Sequence, residues 1–171
     1  LSTLDMRDCA LGNEGASAIS KALSELTVLK DLHLSGNHIH DEGQEEIGVA
    51  IRHCKQVEVA DDIQMPAQDG EEGVTWSLSG KVKTVYQVSF ISNCIRRAQF
   101  VSLDISGNQI GKNNSSMHDL ADSICCLSAL QELNLSDNGP FSVEVCRTLA
   151  LSLRHMTTLR SLRLADNGIH G

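Results

Sequence analysis

The residues that could do chemistry are few, and their spacing builds no familiar reactive site. His33, His38 and His40, with Asp41 beside them, form the densest group of metal-ligating side-chain types. Zinc needs three or four ligands that converge on one point, whereas these side chains follow one another along a strand and its loop. We interpret them as exposed loop histidines and predict neither a metal site nor a cofactor.

The cysteines also lack a catalytic or cross-linking pattern. Cys9, Cys54, Cys94, Cys125, Cys126 and Cys146 do not show the paired spacing of a disulfide framework or a zinc site. Neither His53-Cys54 nor Cys125-Cys126 has the supporting base and orienting group that a nucleophile requires. We place Cys125 and Cys126 in a helix, with one in the core and one nearer the surface. We expect reduced thiols, a cytoplasmic protein and no enzymatic activity.

Two further chemistries are disfavoured by motif and charge. The stretch from Gly107 to Lys112 superficially resembles a phosphate-binding loop, but it lacks the required spacing and a Ser or Thr after the lysine. The formal net charge is −8, and binding to nucleic acid phosphates needs a basic surface. An acidic chain is equally poorly suited to an anionic membrane, and no apolar stretch is long enough to span one.

An internal repeat explains most of the sequence. Five segments share hydrophobic residues at positions 1, 4 and 6 and, in four of them, asparagine at position 9. They start at Leu1, Leu29, Phe100, Leu130 and Leu159. Position 9 is Cys9 in the first segment. The long interval between the second and third of these starts predicts further copies hidden between them.

Each copy predicts a short strand, a turn and a helix. Positions 4 and 6 alternate as in a strand, and the intervening segments carry apolar residues at spacings of three and four, as in Ala18, Ile19, Ala22 and Leu23. One copy cannot bury its own apolar faces, so the copies must stack and their strands form a parallel sheet. Asparagine at position 9 can satisfy backbone groups in the turn, because its amide both donates and accepts.

These motifs resemble the ribonuclease-inhibitor-like subclass of leucine-rich repeats, which includes the sensor regions of nucleotide-oligomerisation-domain-like receptors. The likeness rests on the Leu-x-x-Leu-x-Leu-x-x-Asn/Cys-x-Leu pattern and on the helix from Gly15 to Leu23. It covers roughly residues 1–56 and 100–171. The resemblance implies an α/β solenoid, a partial horseshoe with a parallel sheet on its concave face and helices on its convex face.

The segment 57–99 departs from the pattern and allows two interpretations. Val57 to Asp62 fits a weak third strand, and Val85 to Phe90 fits another strand template. Alternatively, the alternating residues from Val74 to Leu78 and from Val82 to Phe90 form a β-hairpin insertion around Ser79-Gly80-Lys81. The two interpretations can also be combined, with Val85 to Phe90 as a solenoid strand paired to a hairpin arm. The composition of the segment allows two roles. Either its acidic and basic stretches pack on one another and its aromatic residues form a local core, or it is a protruding arm with Trp76 and Tyr86 as partner-binding anchors.

The domain and partner predictions follow from this organisation. We predict one domain over 1–171, with repeats near 1–28, 29–56, 100–129 and 130–158, a truncated repeat at 159–171, and the irregular segment 57–99. We expect the chain to be part of a longer protein, with dimerisation through its open ends as one consequence.

The outward strand positions 3 and 5 should face a partner, and Gln87 and Ser89 belong to this row under the strand interpretation of segment 57–99. The acidic residues of the row favour a protein partner with a basic surface. The predicted partner-binding residues are Asp31, His33, Asp61, Trp76, Tyr86, Asp104, Glu132, Asn134, Arg160 and Arg163.

The resemblance implies a protein-recognition module of an innate-immune receptor-like protein. The alternative that it implies is a regulator of an enzyme or of the cytoskeleton, similar to ribonuclease-inhibitor-like, GTPase-activating-protein-like or tropomodulin-like proteins.

Overall fold

The computed structural model describes residues 1–68 and 73–169 and divides the chain into two compact units. The first unit comprises Leu1–Met65 and Thr84–Cys94, and the second comprises Pro66–Lys83 and Ile95–Gly171. Asp69, Glu71 and Glu72, which belong to the irregular segment of the sequence, lie outside the described residues, as does Gly171. The prediction of a single domain over 1–171 stays a prediction.

The elements alternate between strand and helix along most of the chain. They are β1 (Thr3–Asp5), α1 (Gly12–Leu23), β2 (Asp31–His33), α2 (Asp41–Ile51), β3 (Val59–Ala60), β4 (Ile63–Gln64), β5 (Val74–Ser77), α3 (Val85–Arg97), β6 (Phe100–Asp104), α4 (Asn114–Ile124), β7 (Glu132–Asn134), α5 (Val143–Leu153) and β8 (Ser161–Arg163). A short 3-10 helix at Ile110–Lys112 precedes α4.

Each unit contains a four-stranded sheet whose repeat strands are parallel and in register. Strands β1 to β4 form the sheet of the first unit, and β5 to β8 form that of the second. Leu4 pairs with Leu32 in the first sheet, and Leu103 pairs with Leu133 in the second. Position 4 is therefore an inward position, and Leu32, Leu103 and Leu133 are almost fully buried. The predicted α/β class with parallel strands is confirmed.

Buried asparagines connect each repeat turn to the preceding one. Asn138 is fully buried. Its Oδ1 accepts a hydrogen bond from the backbone N–H of Asn108 at 3.0 Å, and its Nδ2 donates to the carbonyls of Ile105 and Leu135 at 2.8 and 3.0 Å. Asn167 Oδ1 likewise accepts from the N–H of Asn138 at 2.7 Å. The repeat asparagine thus satisfies backbone groups that the strand ladder leaves unpaired.

The same turn needs a left-handed backbone next to the asparagine. Position 8 has a positive φ in six repeats, where it is occupied by Asp8, Gly36, Gly80, Gly107, Asp137 and Asp166. Glycine adopts this conformation without a Cβ penalty, and aspartate tolerates it better than most residues do. The recurring Ser-Gly-Asn and Ser-Asp-Asn sequences therefore match the backbone geometry of the turn as well as its hydrogen bonds.

In the irregular segment, one strand prediction is confirmed and the other is wrong. Val59 of β3 pairs with Asp31 in the predicted parallel register, and β4 then turns back antiparallel to β3. Val85 to Phe90, in contrast, begins helix α3. All residues from Tyr86 to Ile95 are buried. The alternation of polar and apolar residues there therefore does not correspond to a strand with one exposed face. The apolar residues of α3 do recur at helical spacings, as in Val88, Ile91 and Ile95, but the match of the segment to the repeat strand template masked this signal.

The start of α3 is fixed by a capping box that the strand interpretation overlooked. The backbone N–H of Thr84 donates to Gln87 Oε1 at 3.1 Å, and the N–H of Gln87 donates to Thr84 Oγ1 at 3.4 Å. A Thr-x-x-Gln sequence that satisfies both N–H groups marks a helix N-terminus. The N–H of Val85 donates to Gln44 Oε1 at 2.8 Å. These contacts explain why a segment rich in β-branched residues becomes helical.

The predicted β-hairpin is also wrong, because β5 pairs in parallel with β6 and not with the following segment. Trp76 lies opposite Leu103 in this pairing, so β5 is a repeat strand. The sequence Trp76-Ser-Leu78-Ser-Gly80 matches Leu32-His-Leu34-Ser-Gly36. This copy was hidden because Lys81 replaces the repeat asparagine.

Replacing Asn138 with alanine tests the contribution of the buried asparagines to stability. We expect Asn138→Ala to lower the free energy of unfolding by about 2–4 kcal/mol, because it leaves buried backbone donors and acceptors without partners. Asn114→Ala is the control, since Asn114 is exposed at the start of α4. Urea unfolding followed by the fluorescence of the single tryptophan measures both variants. Equal losses in the two variants would contradict the assigned role.

Candidate functional site

Each sheet presents a polar face formed by strand positions 3 and 5. We define the first strand face by Thr3, Asp5, Asp31 and His33 of the first unit. We define the second strand face by Thr75, Ser77, Ser102, Asp104, Glu132, Asn134, Ser161 and Arg163 of the second unit. All of these residues are exposed or half-buried. Strand alternation places the buried leucines on the other side of the sheet.

The charged groups of the first strand face are engaged with neighbouring side chains. Arg7 Nε donates to Asp5 Oδ1 at 2.9 Å, and this hydrogen bond is the main reason why the pKa of Asp5 is lowered to about 2. Thr3 Oγ1 donates to Asp31 Oδ2 at 2.9 Å. His33 lies close enough to Asp5 to lower the pKa of its carboxyl slightly further. Both carboxylates of this face therefore already have hydrogen-bond donors.

The second strand face contains a small, partly open polar cavity of about 60 Å³. Asp104, Glu132, Asn134, Ser161 and Arg163 line it together with Ser102 and the two leucines behind it. Asp104 Oδ1 accepts a hydrogen bond from the backbone N–H of Ser106 at 2.9 Å, and Glu132 Oε2 is 3.4 Å from Ser102 Oγ. Within the part of the chain that the structure describes, Asp104, Glu132 and Arg163 form no ion pair.

The arrangement gives this face a mixed charge. Asp104 and Asn134 lie opposite each other on β6 and β7, and Asn134 lies opposite Arg163 on β8. The two acids therefore lie on β6 and β7, with arginine on the next strand. Arg160 is exposed just before β8 and donates its backbone N–H to the Gln131 carbonyl at 2.8 Å. The lining of the cavity therefore carries two carboxylates, Asp104 and Glu132, and one cation, Arg163.

Asp61 does not belong to this exposed set, although the sequence places it at an outward position. Its side chain is 7% exposed. Asp61 Oδ1 accepts hydrogen bonds from the N–H groups of Leu34 and Ser35 at 2.7 and 3.0 Å, and Oδ2 accepts one from the Tyr86 hydroxyl. Asp61 therefore satisfies backbone N–H groups of the turn after β2, a role comparable to that of the repeat asparagines. The predicted outward position is wrong because β3 ends at Ala60.

Trp76 and Tyr86 are interior residues, so the expectation that they project from an exposed arm is wrong. They are 5% and 2% exposed, respectively. Trp76 stacks on Phe100 with their ring centroids 5.3 Å apart. Burial raises the pKa of Tyr86 above its ordinary range, and the nearby Asp61 carboxylate raises it further. Both aromatics contribute apolar packing where the sequence departs from the repeat consensus.

Gln87 and Ser89 also leave the predicted row, because α3 carries them into the interior. Ser89 is 1% exposed. It faces Gly48 of α2, where an added Cβ would lie 2.7 Å from Ser89 Oγ. Thr75 and Ser77 occupy the outward positions instead, and the Trp76-Ser-Leu78-Ser-Gly80 match is the signal that could have identified them. Sequence reasoning correctly placed the six other members of the second strand face.

The side chains that could bind a metal or act as thiols can also be placed in the structure. Among residues 1–68 and 73–169, no group of three or more His, Cys, Asp or Glu side chains could hold a metal ion. Cys125 and Cys126 are both exposed in the turn after α4, so the prediction that one is a core residue is wrong.

No helix within the described ranges combines the length and apolar character needed to cross a membrane.

The single tyrosine makes the buried Tyr86–Asp61 contact directly measurable. Because the pKa of Tyr86 is higher in the folded chain than the ordinary value of about 10, its contribution to stability is fully present below pH 10 and is lost as the pH rises further. We expect tyrosinate absorbance to appear only together with unfolding. Tyrosinate formation near pH 10 with an unchanged circular dichroism spectrum would contradict the buried placement.

Tyr86→Phe should lower the free energy of unfolding at neutral pH by about 1–3 kcal/mol, because Asp61 loses a buried donor. It should also remove the alkaline decrease in stability that ionisation of Tyr86 causes. Urea unfolding of both proteins at neutral and alkaline pH measures the two effects. Parallel pH profiles for wild type and variant would show that Tyr86 does not control the alkaline decrease.

Comparison with known proteins gives a partial identification. Residues 1–20, 25–48 and 155–171, less than half of the chain, match the family model described as Leucine Rich repeat. No curated protein matches the chain. A solved structure from Caenorhabditis elegans described as the tropomodulin C-terminal domain is 11% identical, covering 91% of this chain and 84% of its own, with a TM-score of 0.44. At that score we draw no conclusion from the likeness. The family model therefore identifies leucine-rich repeats within these matched residues, and the same strand register recurs in both sheets.

Proposed function

We propose that the chain is a non-catalytic protein-recognition module and that its second strand face binds the partner. The observation that carries this proposal is the presence of Asp104, Glu132 and Arg163 around one small cavity without an ion pair among the described residues. Charged groups that the fold leaves uncompensated are available to a partner, and their placement determines which partner fits.

The partner should present charges that are complementary to those of β6, β7 and β8 and that follow the order of these strands. A basic side chain fits the cavity beside Asp104 and Glu132, while an acidic group fits beside Arg163 and Arg160. This refines the sequence-based expectation of a partner with a basic surface. The first strand face is the weaker candidate, because the Asp5 carboxylate already forms an ion pair with Arg7.

The wider setting of the module rests on the sequence resemblance. We propose that the chain is the sensing region of an innate-immune receptor-like protein, as the helix from Gly15 to Leu23 and the repeat asparagines suggest by their likeness to that subclass. We also propose a reducing compartment such as the cytoplasm. The unpaired spacing of the six cysteines supports it, since disulfides are rare there.

Charge reversal on the second strand face tests the proposed site. A photo-crosslinking residue at Asn134 captures the partner from lysate of the source tissue, and the same residue at Ala150 on the exposed side of α5 is the positional control. The captured protein is then titrated against wild type, Asp104→Lys/Glu132→Lys and Arg163→Glu. We expect each variant to weaken binding by at least about tenfold, or about 1.4 kcal/mol.

Two matched variants separate local complementarity from net charge. Glu42→Lys/Glu46→Lys on α2 changes the net charge as much as Asp104→Lys/Glu132→Lys does, and Arg147→Glu on α5 changes it as much as Arg163→Glu does. All three residues are exposed, and both variants should leave the affinity unchanged. Circular dichroism confirms that every variant is folded. Binding that survives both strand-face reversals, or that is lost only with the helix variants, would show that the second strand face is not the site.

A further inference from the structure

Two adjacent thiols are exposed together in the turn that follows α4. Cys125 and Cys126 come directly after Ile124, the last residue of the helix, and both side chains are exposed. Cys125 Sγ donates to the Asp122 carbonyl at 2.9 Å. Partial desolvation raises the pKa of the Cys125 thiol, and the neighbouring Cys126 raises it further. The two thiols are therefore adjacent along the chain and both accessible.

The backbone of this turn is held in a helical conformation that does not suit a disulfide. Cys125 has φ −60° and ψ −18°. The N–H of Cys126 donates to the Ser123 carbonyl at 3.0 Å, and Gln99 Nε2 donates to the Cys126 carbonyl at 3.1 Å. Adjacent Cα atoms are about 3.8 Å apart across a trans peptide, which is shorter than the roughly 4.4–6.8 Å typical of disulfides. Oxidation of the pair would therefore produce a strained and readily reduced bond.

A bridging atom avoids this geometric conflict. A centre with bonds of about 2.3 Å to each sulfur, the length of a zinc–thiolate bond, leaves the sulfurs much farther apart than the roughly 2.05 Å of a disulfide. Two bonds from one chain also hold the centre more strongly than single bonds to separate cysteines, because the second bond forms intramolecularly. The reduced pair is therefore suited to chelation.

We propose that Cys125 and Cys126 form a dithiol site that chelates trivalent thiophilic centres of the arsenoxide class. With phenylarsine oxide, both S–H bonds and the arsenic–oxygen bond break, two arsenic–sulfur bonds form, and the oxygen leaves with the two protons as water. Arsenic stays trivalent, so the step needs neither an oxidant nor a reductant. The site uses no residue of the second strand face and is independent of the proposed partner binding.

Mass spectrometry of the folded chain with phenylarsine oxide tests the site. We expect one phenylarsenic group per chain, retained in excess monothiol and removed by the dithiol 2,3-dimercaptopropanol. Cys125→Ser and Cys126→Ser should each lose the adduct that survives monothiol. Cys9→Ser and Cys146→Ser are the controls, since they remove an exposed and a half-buried thiol elsewhere, and both should retain it.

Alkylation of the unmutated protein provides a test that does not depend on variant folding. After arsenoxide treatment under native conditions, iodoacetamide should no longer modify Cys125 or Cys126, while Cys9 should remain reactive. Modification of Cys125 and Cys126 by iodoacetamide after arsenoxide treatment would overturn the proposal. So would a monothiol-resistant adduct that persists in both serine variants. A stoichiometry of two groups per chain would overturn it as well.

Discussion

The fold depends on polar side chains that are buried in the turns after the strands and that bond to the backbone of neighbouring segments. In the second unit, Asn108, Asn138 and Asn167 form a continuous series in which each amide oxygen accepts an N–H from the preceding turn. Short strands of three residues leave many backbone groups without ladder partners. Since an unpaired buried group costs about 1–3 kcal/mol, the asparagines make such short strands tolerable. Parallel packing of the leucines behind them then becomes possible.

The irregular part of the chain solves the same problem with different residues. Asp61 supplies the carboxylate oxygen that accepts two turn N–H groups in the first unit, and the Tyr86 hydroxyl satisfies its other oxygen. A charged acceptor at this position needs a buried donor, which accounts for the presence of tyrosine at the start of α3. Two residues that look like surface recognition groups in the sequence are thus a structural pair. The surface that remains available for recognition is correspondingly smaller and lies on the regular strands.

The sequence predicted the regular repeats because their inward leucines and turn asparagines recur at fixed spacing, and it predicted six members of the second strand face for the same reason. It did not predict α3, because Val85 to Phe90 also matches the repeat strand template, and this match outweighed the helical spacing of Val88, Ile91 and Ile95. The Thr84-x-x-Gln87 capping box and the Trp76-Ser-Leu78 match were readable signals. The burial of Asp61, in contrast, depends on β3 ending at Ala60 and on a tyrosine 25 residues away, which no local pattern reports.

Native-state hydrogen exchange of the turn amides tests the central role of the buried side chains most directly. The N–H groups of Leu34, Asn108 and Asn138 point to side-chain oxygens and not to strand partners. If these bonds hold the repeats together, the three amides exchange as slowly as the strand amides, with opening free energies close to that of global unfolding. Fast exchange of these amides, with protected strands on either side, would show that the strands are stable without the turn side chains and would contradict the account.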